Sequence, residues 1–117
     1  MNRAFFGGGI SDTQRDFWMY DEENNEWLIR SSLKNETVVD LFGFNIGAKF
    51  YVGGGFPDSN ELWEFNPNKN AWTQRANIPP AFSKYSSFSF TLKGKGYIGG
   101  GILENGDRCE QFYSYKQ

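Results

Sequence analysis

Lys49-Phe50-Tyr51-Val52-Gly53-Gly54-Gly55 is the middle version of a phrase that occurs three times, an apolar run closed by a triple glycine. Arg3-Ala4-Phe5-Phe6 leads into Gly7-Gly8-Gly9, and Lys95-Gly96-Tyr97-Ile98 into Gly99-Gly100-Gly101, so the interval is 46 residues both times. Self-similarity at such a period means one supersecondary unit copied along the chain, and a unit of this length cannot bury its apolar faces without its neighbours. Fold class is therefore decided by the repeat before any local propensity is weighed.

Outward from the glycines the copies keep matching. Downstream come three alternating segments, Phe17-Trp18-Met19-Tyr20-Asp21, Leu62-Trp63-Glu64-Phe65-Asn66 and Phe112-Tyr113-Ser114-Tyr115-Lys116. Trp27 and Trp72 follow seven residues after Tyr20 and Phe65. Upstream, Leu41-Phe42-Gly43-Phe44-Asn45-Ile46 and Ser87-Phe88-Ser89-Phe90-Thr91-Leu92 align Phe to Phe and Ile to Leu at the same offset. Aromatic and β-branched residues alternating with polar ones indicate half-buried strands. Asp21-Glu22-Glu23-Asn24-Asn25-Glu26 and Asn66-Pro67-Asn68-Lys69-Asn70-Ala71 are hairpin connections of equal length. The complete unit has four antiparallel strands.

Four such strands, with glycines in the second, an aromatic in the third and Trp opening the fourth, resemble the kelch repeat of β-propellers, and the resemblance spans nearly the whole chain. The period is near the roughly 50 residues of kelch, whereas the other common propeller repeat carries Gly-His and Trp-Asp signatures, and this chain has no histidine and no Trp-Asp pair. The resemblance implies an all-β fold of kelch-type blades forming an incomplete propeller. Residues 1–33 would be a blade lacking its first strand, 38–78 a complete blade, and 86–117 a blade lacking its last strand. It also implies structural work for Gly8, Gly9, Gly54, Gly55, Gly100 and Gly101, and for Tyr20, Trp27, Phe65, Trp72 and Tyr115. Glycine weakens a strand unless something must approach closely. An indole or phenol is expected to enter the hollows the glycines leave, with the five aromatics packing blade against blade.

Composition narrows function. Net charge is −2 with acids and bases mixed along the chain, so no basic stripe suits nucleic acid. No run approaches the roughly 18 apolar residues of a membrane-spanning helix, and no signal-peptide pattern is present. Cys109 is the single cysteine, which excludes an intramolecular disulfide and reads as an ordinary loop residue. With no histidine there is no imidazole base, no Ser-His or Cys-His pair and no His-containing metal site. That absence weighs against the copper oxidases similar to galactose oxidase. The acids Asp12, Asp16, Asp58 and Asp107 fall in polar turns, where a solvated charge is the usual state. A phosphate-binding loop needs a helix after its glycines, and none is indicated. Neither cofactor nor metal is expected.

Function is then a matter of loops. In blades running from axis to rim, the connections between second and third strands share one propeller face with those linking successive blades. These segments vary in length between copies, and loop variation on a fixed scaffold is how a propeller acquires a ligand. Asp12, Gln14, Arg15, Asp58, Asn60, Lys84, Tyr85, Asn105, Asp107 and Arg108 are the candidate ligand-binding residues. The expected function is a non-catalytic binding or scaffold module for protein or glycan. The alternative is part of a carbohydrate-active propeller enzyme, similar to sialic acid epimerases or sugar oxidases. Three blades cannot close a ring alone, so the expected partners are a second copy, giving a six-bladed homodimer, or the remaining blades of a longer parent. The repeats look more like bacterial than animal kelch proteins, which suggests an exported or cell-surface parent and leaves location open.

Overall fold

A computed structural model describes residues 3–9, 14–36, 39–55, 59–79, 87–102, 106–108, 110 and 112–117. Among them are ten strands and no helix: β1 (Phe5–Gly7), β2 (Phe17–Asp21), β3 (Glu26–Arg30), β4 (Leu41–Ile46), β5 (Lys49–Gly54), β6 (Leu62–Asn66), β7 (Ala71–Arg75), β8 (Phe88–Leu92), β9 (Lys95–Gly99) and β10 (Phe112–Tyr115). They form three antiparallel sheets, the first β1-β2-β3, the second β4-β5-β6-β7 and the third β8-β9-β10. Each sheet is a meander, because consecutive strands pair.

The register repeats with the sequence. Phe17, Leu62 and Phe112 each lie opposite the first glycine of a triplet, Gly7, Gly53 and Gly99. Tyr20 pairs with Trp27 and Phe65 with Trp72 in the same way. Hairpin turns repeat too: Asn25 and Asn70 take φ of 52° and 50° at matching places, a conformation asparagine tolerates better than most residues.

Alternation divides each sheet into a forward face, toward the next sheet in the chain, and a backward face. Two cores result. Between the first and second sheets lie Phe17, Leu33, Val52 and Phe65, with Phe5, Leu41, Phe50 and Trp72 packed around them. Between the second and third lie Phe42, Phe44, Ile46, Tyr51, Leu62, Ile78 and Ile98, flanked by Tyr113 and Tyr115. Aromatics dominate both, at roughly 150–250 Å² of buried surface apiece. Hydroxyls stitch the second joint, where Ser89 Oγ donates to the Gly43 carbonyl at 2.6 Å and Thr91 Oγ1 to the Asn45 carbonyl.

The glycines divide their labour differently from the expectation. A side chain at Gly53 would stand 2.7 Å from the Phe42 ring, and one at Gly99 or Gly96 would overlap Phe112 or Phe44. The visitors are thus phenylalanines, not indoles or phenols, and the hollows lie at the first two glycines of the second and third triplets and at Gly96. The second glycine serves the backbone as well, as at Gly54, where φ is 72° and an L side chain is strained. Indoles go elsewhere. Trp72 packs on Phe17 of the preceding sheet at 4.8 Å between ring centroids and donates its N–H to the Ser31 carbonyl at 2.9 Å. Trp27, its repeat partner, is 49% exposed and among the described residues stacks on rings of its own sheet, Tyr20 at 5.3 Å and Phe6 at 6.3 Å.

Candidate functional site

Antiparallel order sends the β1–β2, β3–β4, β5–β6, β7–β8 and β9–β10 connections to one end of the sheets, and the tight hairpins to the other. The described candidates therefore share an end by topology. Asp12, Asp58, Lys84, Tyr85 and Asn105 lie outside the described residues, as does Cys109. Gln14, Arg15, Asn60, Asp107 and Arg108 are described, and they separate into two kinds.

Arg15 and Asn60 serve the framework. The Arg15 guanidinium is spent on backbone carbonyls of the segment joining the first two sheets, with Nη1 donating to Asn35 at 2.6 Å and Leu33 at 3.4 Å, and Nη2 to Glu36 at 3.2 Å. It is one of the candidate ligand-binding residues, and in the fold its planar fork serves as a clamp. The Asn60 carbonyl accepts from the Ile78 N–H at 2.9 Å, closing the loop end of the second sheet. Glu61 adds a tie between sheet and linker: its Oε1 accepts from the Glu36 N–H at 2.9 Å and from the Trp63 indole at 3.0 Å. Asn35 is fully buried beneath, its amide donating to the Val52 carbonyl at 3.2 Å.

Gln14, Asp107 and Arg108 are exposed. Arg108 lies in an isolated antiparallel bridge with Ile102, which fixes its backbone while its side chain stands at the surface. These three are the described candidates a ligand could reach.

A charged cluster that the sequence gave no reason to single out lies between the second and third sheets. Glu64 is 5% exposed. Tyr51 O–H donates to its Oε2 at 2.6 Å, Arg75 Nη2 and Lys49 Nζ to its Oε1 at 2.9 and 3.3 Å, and Gln117 Nε2 donates to the Tyr51 oxygen at 2.6 Å. Burial pushes the Glu64 carboxyl up, but the hydrogen bonds from Arg75, Tyr51 and Lys49 outweigh it and hold the group below its ordinary range. The Tyr51 phenol is driven well above its ordinary value by burial and by the Glu64 hydrogen bond, so it stays a donor at neutral pH. Both carboxylate oxygens are occupied, which makes the cluster a tie across β5, β6 and β7 that faces the third sheet and meets it through Gln117 on the Tyr51 hydroxyl, not a reactive acid. Only its alternation position marked Glu64, and its counterparts Met19 and Ser114 are uncharged.

No family model matches the chain. Curated sequences do. Human Kelch-like protein 6 is 32% identical over 109 residues, which is 86% of this chain and 16% of that protein. Human Kelch repeat and BTB domain-containing protein 8 is 28% identical over 86 residues, 68% of this chain and 14% of that protein. The chain thus spans about a sixth of the length of these relatives. Among solved structures, that of YjhT superposes with a TM-score of 0.71 at 19% identity, covering 88% of this chain and 32% of that one. The repeating register, the two aromatic joints and these similarities agree: the chain consists of kelch repeats folded as blades of a β-propeller.

Proposed function

We propose that the chain is a non-catalytic recognition module that binds a peptide or a glycan through the loop end of its blades. One observation carries the reading: the connections that differ between copies all emerge at one end, over a framework clamped by Arg15, Asn35 and Glu61. Variable loops on a rigid base are the usual way a repeated scaffold acquires a ligand. Kelch repeats in the relatives support an interaction role. With Arg15 spent on carbonyls, Arg108 is the exposed cation left as an anchor among the described candidates at this end, since arginine is enriched where recognition energy concentrates.

Screening the chain on peptide and glycan arrays, followed by titration of the captured ligand, tests this. Arg108→Ala should weaken binding at least tenfold while the unfolding midpoint stays unchanged. Equal affinity of the variant, or no captured ligand on either array, would count against the loop end as the site.

A further inference from the structure

The two outer faces of the three-sheet stack are the two halves of a joint already built twice inside the chain. On the forward face of the third sheet Phe112 occupies the register position of Phe17, opposite the first glycine of its triplet. On the backward face of the first sheet Tyr20 and Trp27 occupy the positions of Phe65 and Trp72. Inside the chain those positions meet, Phe17 packing on Phe65 at 5.0 Å and on Trp72 at 4.8 Å. Outside they do not: Phe112 is 52% exposed and Trp27 49%.

Size matching makes the complementarity specific. Phe44 of β4 overlies Gly96, leaving no room for a side chain there. The counterpart of Phe44 is Phe90, each paired across to a tyrosine, Tyr51 and Tyr97, and Phe90 is 43% exposed. Gly96 lies opposite Tyr115, Phe50 opposite Phe65, and the Ala4 carbonyl accepts from Tyr20 N–H, so the three are equivalent. Phe50 faces the first sheet, where among the described residues no strand pairs with the outer edge of β1, and its ring stacks on Phe5 at 4.7 Å. The position is thus small where a first-strand phenylalanine arrives and large where none does. Ala4 is small and exposed.

We propose that a second copy of this chain supplies the missing half, with Phe90 of each copy seated over Ala4 of the other and Phe112 against Trp27. This interface goes beyond the loop-end reading and does not depend on it. The contact is head to tail, so it must either close or run on as a fibre. Two copies of three sheets make six blades, within the roughly four to eight of closed propellers, and closure covers both faces of both copies.

Sedimentation or light scattering of the whole chain at micromolar concentration should give twice the 13.4 kDa chain mass. Ala4→Phe, which places on the first sheet the large residue that Phe50 is on the second, should reduce the mass to that of one chain, as should Phe90→Asp. Combining Ala4→Phe with Phe90→Ala should bring the double mass back by restoring one large and one small partner. A single-chain mass for the unaltered protein, an open series of larger species, a dimer indifferent to Ala4→Phe, or no recovery in the double variant would each overturn the proposal. Because no ligand enters the measurement, a single-chain mass would leave the loop-end reading standing.

Discussion

Trp72 and Trp27 hold the same place in successive repeats, and their surroundings differ completely. Trp72 is wedged on Phe17 with its N–H bonded to Ser31, across the joint between the first two sheets. Trp27 has the same cross-strand partner type and the same turn before it, yet half its surface faces outward. The repeat therefore specifies the sheet, while the neighbouring sheet supplies most of the stabilisation. In a solenoid-like or radial array stability is close to a sum of unit and nearest-neighbour contributions, and this pair separates the two.

The largest effect expected is from removing the packed indole. Trp72→Ala should cost about 2–3 kcal/mol, below the roughly 3–5 kcal/mol of a fully buried aromatic because the indole is half-buried, read as a lower urea midpoint. A cost below ~1 kcal/mol would erase the contrast between the two tryptophans. Next comes the second joint. Glu64→Gln removes the anion that Arg75 and Lys49 share, and should cost about 1–3 kcal/mol, moderated by the partial exposure of both cations.

That joint also has a pH signature. The Glu64 carboxyl is held below its ordinary 4.5 in the fold, so its contribution is complete above that pH and is lost as pH falls through the lower folded value. Acid unfolding of Glu64→Gln should accordingly show a flatter limb below pH 4.5, and an unchanged limb would remove Glu64 from the account. A smaller change is expected at the loop end, where Arg15→Gln should cost about 1–2 kcal/mol through its carbonyl bonds and Arg108→Ala within ~0.5 kcal/mol, both by thermal or urea unfolding. Smallest of all, Trp27→Ala in solutions dilute enough for single chains should alter stability by no more than ~0.5 kcal/mol. Repeating that measurement at rising protein concentration sharpens the comparison, since a widening deficit would show that this indole finds its neighbour only in the assembled form.

Much of this architecture was legible in the residues. The triple glycines fixed the period, and alternation around Tyr20, Phe65 and Tyr115 placed the strands, because periodicity is a property of the chain itself. What fills the glycine hollows was not. That Phe42 and Phe44 of the first strand, and not the tryptophans, approach Gly53 and Gly96 depends on how sheets stack. The clamp made by Arg15 was hidden for a related reason: its acceptors are backbone carbonyls of a linker 18 to 21 residues away, and carbonyls have no sequence code. Glu64 gave no periodic signal because its partners lie on the two strands flanking its own, Lys49 and Tyr51 on β5 and Arg75 on β7, brought to it only by pairing.

The unequal tryptophans also equip the chain with an optical gauge. The indole of Trp72 is hydrogen-bonded and packed while that of Trp27 is half exposed to water, so the emission of the second should lie further to the red. Any event that covers the outer face of the first sheet should shift the fluorescence toward the blue and shield it from a dissolved quencher, with no label attached.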